Sequence, residues 1–241
     1  MSSIWGGSML KVKQFRYGAD NLGYLVYATR SALAVDGGAA AEIVAFLVER
    51  HLTLKCVANT HDHQDHTCGN GKLLEATHAR LLTGHDLPDG GTIALDGVEV
   101  RVIHTPGHTA ESRCFLAGKF LIAGDTLFNG KIGNCFSGDL EGFYRSIRKL
   151  MALPDETVVY AGHDYVKSSL AFARRLEPEN RAIGAFLRRH DAKHAFSTLA
   201  EEKMINPYLR FNEPGLVKLL AKLRLPRETE WERWQSLMSI E

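Results

Sequence analysis

The chain reads as an α+β protein whose first part mixes strands with helices and whose last part is a run of helices. Three observations predict this. Short apolar runs broken by Gly and Asp dominate to about residue 160. Two stretches among them carry apolar residues at helical spacing. From Tyr165 onward strand signals disappear and helical segments follow one another. With 241 residues the chain can bury a large core as one domain, or one domain with an appendage.

In order, strands are expected at Leu10 to Phe15, Leu22 to Ala28 and Ala32 to Val35, separated by Gly18-Ala19-Asp20-Asn21 and Thr29-Arg30-Ser31. Asp36-Gly37-Gly38 ends the third and opens a helix, Ala39 to His51, with Ile43, Phe46 and Leu47 as its apolar stripe. Leu54 to Asn59 reads as a buried strand emptying into a loop. Further strands are Ile93 to Leu95, Val98 to Ile103, Arg113 to Leu116 and Phe120 to Ala123, with turns at Asp96-Gly97 and Gly118-Lys119. An amphipathic helix follows, Leu140 to Ala152, with Phe143, Ile147, Leu150 and Met151 on one side and Pro154 as its stop. Thr157 to Tyr160 is a short strand. Helices are then expected near 165–175, 180–190, 197–203, 215–223 and 228–239, which puts a domain boundary near residue 168.

Composition excludes several classes. Hydrophobic residues at 45% and charged residues at 24% are those of an ordinary globular protein. With 29 Lys+Arg against 28 Asp+Glu, there is no electrostatic case for nucleic acid or an anionic membrane as partner. Cys56, Cys68, Cys114 and Cys135 form no C-x-x-C pair and no disulfide framework; Cys56 and Cys114 read as small buried hydrophobes. No signal peptide and no apolar run of the roughly 18 residues needed to span a bilayer are seen, so the expected compartment is cytoplasmic.

Chemistry concentrates in four polar islands, each just beyond an apolar strand. The densest is Thr60-His61-Asp62-His63-Gln64-Asp65-His66. A core cannot bury that much polarity unpaired, and metal ligation would account for the whole cluster. His104-Thr105-Pro106-Gly107-His108-Thr109, Gly124-Asp125-Thr126-Leu127-Phe128 and Gly162-His163-Asp164-Tyr165 are the others. Imidazole and carboxylate together suit zinc, iron or manganese.

These four motifs, in this order and at these separations, resemble the metallo-β-lactamase superfamily, and within it the glyoxalase II (hydroxyacylglutathione hydrolase) family. Ala152-Leu153-Pro154, Glu177-Pro178-Glu179-Asn180 and Asn206-Pro207-Tyr208-Leu209-Arg210 extend the resemblance over about residues 10–210. It implies a four-layer αβ/βα sandwich, residues 1–168, as the metal-binding catalytic domain, and a helical substrate-binding appendage over 169–241. It implies two divalent ions, zinc first, with iron or manganese as alternatives. His61, His63 and His108 would bind one ion and Asp65, His66 and His163 the other. Asp125 would bridge them, and Asp65 and Asp125 would be the catalytic carboxylates.

The implied activity is hydrolysis of a small-molecule hydroxyacyl thioester such as S-lactoylglutathione or a related thiol conjugate. Substrate contacts are expected from Asn134, Phe136, Tyr165 and Arg210. Here the chain departs from the family pattern: Asn134 stands where a basic residue is expected, and Phe211-Asn212-Glu213-Pro214 replaces the Arg and Lys of eukaryotic members. Each lost charge-assisted contact costs about 1.5–3 kcal/mol. Two alternatives share the fold: a mononuclear-iron persulfide dioxygenase, using His108, Asp125 and one upstream histidine, and a lactonase. The missing basic surface disfavours a nuclease.

Overall fold

The computed structural model describes residues 9–240 and divides into two compact units. One runs to His104 and adds Arg113–Ile122; the other comprises Thr105–Ser112 and the chain from Ala123 onward.

The first unit carries β1 (Lys11–Tyr17), β2 (Asn21–Tyr27), β3 (Ser31–Val35), α1 (Ala40–Glu49), β4 (Thr53–Ala58), α2 (Gln64–Thr67), α3 (Asn70–Thr77), β5 (Arg80–Leu81), β6 (Thr92–Leu95), β7 (Val98–His104) and β8 (Arg113–Ala117). The next strand, β9 (Phe120–Gly124), begins here and carries the chain into the second unit. The first sheet has the order β1-β2-β3-β4-β5. Its β1–β2–β3 part is antiparallel, with Leu25 opposite Ala34; β3–β4–β5 is parallel and uses α1 and α3 as crossovers. Ile43 and Leu47 of α1 and Leu73 of α3 pack on Leu25, Ala32, Ala34, Leu54 and Val57. The other face of β2 and β3 is buried too, which is why these strands read as continuous apolar runs rather than alternating ones.

The strands β6 to β9 form an antiparallel meander that pairs Ile93 with Val100, Val102 with Phe115, and Phe115 with Ile122. Its first turn has Asp96 at φ 49° and Gly97 at φ 83°, the positive-φ pair that a two-residue hairpin requires. The Asp96 carboxylate accepts the backbone N–H groups of Arg30 and Ser31 at 2.6 and 3.0 Å and the Ser31 hydroxyl at 2.7 Å, tying this ladder to the start of β3.

The second unit adds β10 (Leu127–Phe128), β11 (Lys131–Ile132), α4 (Leu140–Met151), β12 (Val158–Ala161), α5 (Val166–Leu176), α6 (Arg181–Arg189), β13 (Ser197–Thr198), α7 (Leu199–Ile205), α8 (Pro214–Lys222) and α9 (Glu230–Met238). The α4 stripe buries Phe143, Ile147 and Leu150, and Trp234 of α9 meets Phe143 edge-on at 5.9 Å. Val166, Leu170 and Ala173 of α5 pack with Ile183, Phe186 and Ile205. Thr198 and Thr229 cap α7 and α9 as capping boxes with Glu201 and Glu232. No helix among the described residues is long and apolar enough to cross a membrane.

Two expectations need correction. Strand structure does not end before residue 165: β13 pairs antiparallel with β12, Val159 opposite Ser197. Two residues are too few for alternation to register in a sequence. The loop expected after Asn59 is short, residues 59–63, and α2 and α3 follow it: His61 and His63 stand in the loop, while Asp65 and His66 lie within α2.

The β10–β11 hairpin is held by buried polar groups. Both carboxylate oxygens of Glu202 accept the Gly130 N–H, at 3.1 and 3.0 Å, and Asn206 Nδ2 donates to Glu202 and to Lys131 O. Asn129 Nδ2 donates to Ser197 Oγ at 2.7 Å. Burial pushes Glu202 up from 4.5 to about 7, against the hydrogen bonds that favour its ionised form. The native state therefore keeps a proton that the unfolded chain releases, and stability should fall as pH rises through 4.5 to 7, by on the order of 3 kcal/mol. Denaturant titrations across that range should show the decline in wild type and a flatter profile in Glu202→Gln.

Candidate metal centre

In the first unit the site grows from the ends of β3 and β4. Asp36 follows β3 and is fully buried at φ 51°, a left-handed conformation that a non-glycine residue adopts only when its surroundings enforce it. Its carboxylate accepts Thr60 N at 2.8 Å, Thr60 Oγ1 at 2.7 Å and His66 Nδ1 at 3.0 Å. Because Thr60 donates its hydroxyl hydrogen to Asp36, its oxygen accepts from His61 Nδ1 at 3.1 Å. One carboxylate thus sets the tautomer of two imidazoles, with hydrogen on Nδ1 and the lone pair on Nε2, the form that ligates metal. Asn59 Nδ2 donates to His66 O at 2.7 Å and closes the turn.

His63, the residue before α2, brings Nδ1 to 2.9 Å from His61 Nε2. His66 is buried and Asp65 exposed, with Asp65 Oδ2 at 3.7 Å from His66 Nε2 and accepting Asn21 Nδ2 at 2.8 Å. In the second unit, Asp125 Oδ2 lies 3.6 Å from His108 Nε2 and 3.5 Å from His163 Nε2, and all three residues are buried. Donor atoms about 2.0–2.1 Å from a tetrahedral zinc lie about 3.3 Å apart, so each of these separations suits a pair of atoms that ligate the same ion. His108 Nδ1 lies 3.0 Å from the carbonyl of Asn134, which again leaves Nε2 as the ligating atom.

Glycines permit this approach at two places. A Cβ on Gly133 would overlap Asp125 O and stand 3.0 Å from His108 Nδ1. Gly107, at φ 151°, has the Phe143 ring where its Cβ would be. Around the imidazoles stand three aromatics. Tyr165 stacks flat on His163 at 4.8 Å and 4°, Phe128 is edge-on to Tyr165 at 5.1 Å, and Phe136 is edge-on to His108 at 5.2 Å. Phe136 is 65% exposed and Tyr165 36%, so both offer ring surface to a ligand.

Asn134 and Arg210 make contacts of another kind. Asn134 is exposed and reaches His108 through its backbone. Arg210 is committed to Glu177, with Nε and Nη2 at 3.0 and 2.9 Å, and to Lys203 O at 3.1 Å. That pairing explains Glu-Pro-Glu-Asn and Asn-Pro-Tyr-Leu-Arg as two halves of one structural clamp. Asp164 faces His190 at 3.4 Å. From sequence, Asp36 and Asn21 read only as turn residues and Thr60 only as the start of the densest island; the one signal was an aspartate directly after an all-apolar strand.

Comparisons with known proteins place the chain in a family. The family model of the metallo-β-lactamase superfamily matches residues 83–163, and that of the hydroxyacylglutathione hydrolase C-terminus matches 164–237. A hydroxyacylglutathione hydrolase from Pseudoalteromonas translucida is 31% identical, covering 96% of this chain and 97% of its own length. One from Chromohalobacter salexigens is 36% identical over 81% and 84%. Among solved structures, ETHE1 from Myxococcus xanthus is 26% identical with TM-score 0.67 over 94% of this chain and 99% of its own. The BLEG-1 B3 metallo-β-lactamase, at 22% identity and TM-score 0.63, shares the fold over 83% of this chain and 99% of its own. The fold and its histidine–aspartate motifs define a metallo-β-lactamase superfamily protein. Within that superfamily the chain belongs to the hydroxyacylglutathione hydrolase family.

Two substitutions test the supports rather than the ligands. Asp36→Asn puts an amide where donors converge and should weaken metal affinity about 10–100-fold, read by chelator competition. Gly133→Ala should lower both melting temperature and metal content, because its methyl overlaps Asp125 O.

Proposed function

We propose that this chain is a binuclear-metal thioesterase acting on a hydroxyacyl thioester such as S-lactoylglutathione or a related thiol conjugate. The observation that carries the reading is the donor chemistry: every one of the seven motif positions holds an imidazole or a carboxylate. Four of the five histidines have Nε2 or Nδ1 beside another donor, at 2.9 to 3.6 Å. On this reading His61, His63 and His108 serve one ion, Asp65, His66 and His163 the other, and Asp125 both. The 1–168 segment is the catalytic domain and 169–241 the substrate-binding appendage. Membership of a hydrolase family supports the activity, and its histidine-rich ligand set favours zinc, with iron or manganese also suited. A cytoplasmic location fits the use of a thiol conjugate.

Two divalent ions at these residues would supply a water acidified toward about pKa 7 and a positive charge for the developing oxyanion. The residues do the rest. Asp36, Thr60 and the Asn134 carbonyl keep hydrogen on Nδ1 of His66, His61 and His108, so those rings do not turn. Phe128, Phe136 and Tyr165 flank the His108 and His163 rings with apolar surface and restrict water there. A thiolate leaving group, whose parent thiol has pKa about 8.5, departs without a general acid, and the motifs contain no spare one.

Purified protein should carry up to two equivalents of zinc, iron or manganese per chain. His61→Ala and His108→Ala should each remove most hydrolysis across a panel of lactoylglutathione, acyl-coenzyme A and an aryl thioester. One iron per chain with oxygen uptake on a glutathione persulfide would replace this reading with the dioxygenase, and lactone hydrolysis without thioester hydrolysis would replace it with the lactonase. Asn134→Lys should lower KM for lactoylglutathione by restoring a charge to a position remote from the reacting carbonyl.

A further inference from the structure

Beside Tyr165 the second unit contains a cavity of about 280 Å³ lined by Lys131, Tyr165, Ser168, Ser169, Phe172 and Arg175. None of its lining residues is a carboxylate, while two carry positive charge. Tyr165 joins it to the candidate metal centre, since the same ring stacks on His163.

The cavity is built rather than incidental. Its Lys131 wall is fixed by the Asn206 bond to the Lys131 carbonyl, and the Gly130 turn packs so close to α5 that a Cβ there would come within 2.6 Å of Leu170. The Arg175 guanidinium lies 5.2 Å from the Phe172 ring centroid, which limits its rotamers. Ser168 donates its hydroxyl to Tyr165 O. The Ser169 hydroxyl has no hydrogen-bond partner although the residue is only 1% exposed. A buried hydroxyl left unsatisfied is unfavourable, and in the wall of a doubly cationic cavity it is a donor awaiting an acceptor.

We propose that this cavity, formed by Lys131, Arg175 and Ser169 beside Tyr165, is the subsite for a carboxylate of the thiol carrier in the substrate. The proposal rests on the thioesterase reading for the identity of that carrier. Two cations and a hydroxyl give a carboxylate the charge-assisted partners its two oxygens need. Asn134, Asn212 and Pro214 cannot offer them, and Arg210 is already engaged by Glu177.

Binding, unlike turnover, isolates the subsite. Titration calorimetry on the full chain would compare S-hexylglutathione with its dimethyl ester. Wild type should prefer the diacid at least tenfold, and the preference should shrink with added salt. Lys131→Met and Arg175→Gln, each verified as folded by circular dichroism, should reduce that ratio toward one, and Arg175→Lys should restore part of it. Equal affinity of wild type for acid and ester would overturn the assignment, as would a ratio preserved in both variants. Failure of the thioester panel with the ratio intact would reject the thioesterase reading alone.

Discussion

A single buried carboxylate organises the first half of the candidate centre. Asp36 sits at the end of a strand buried on both faces, in a left-handed conformation, and gathers donors from Thr60 and His66. Removing such a group from water is costly unless its oxygens are satisfied, and here each oxygen is. The consequence runs outward. With Thr60 locked as a donor to Asp36, its oxygen holds the His61 ring, and two histidines separated by a turn of chain become fixed in one tautomer. The parallel pairing of β3 with β4, Val35 beside Ala58, is what brings Asp36 to Thr60.

The second half follows a different logic. There the ligands are held by backbone: the Asn134 carbonyl positions His108, and absence of a side chain at Gly133 lets that carbonyl's loop approach Asp125. The loop itself hangs from the β10–β11 hairpin, whose Gly130 N–H is taken by Glu202 far along the chain. Side chains organise one set of ligands and main-chain geometry the other. Substitutions near the two sets therefore differ in kind, since the first is altered by changing hydrogen bonding and the second by adding volume.

The regular elements were legible because they obey simple periods. α1 and α4 appear where apolar residues recur at helical spacing, and Asp96-Gly97 makes the turn its residue types demand. The metal-binding motifs were legible because polarity so concentrated after apolar strands has few other uses. What could not be read were pairings made in three dimensions. β13 is two residues long, and its partner lies nearly forty positions away. The grip of Glu202 on Gly130 spans 72 residues, and that of Asp36 on Thr60 spans 24. Nothing in the neighbourhood of Arg210 announces its pairing with Glu177, 33 positions away.

The reach of α7 into the β10–β11 hairpin also bears on how such proteins can change over generations. Glu202 and Asn206 lie on the helical segment, yet they satisfy main-chain groups in the loop that leads to Asn134. A helical segment borrowed from another lineage would have to bring an acidic residue and an amide at matching places, or leave Gly130 and Lys131 with buried, unanswered polar groups. The two parts of the sequence are thus bound to a shared history, and recombination between them is confined to partners that already speak the same hydrogen-bonding language.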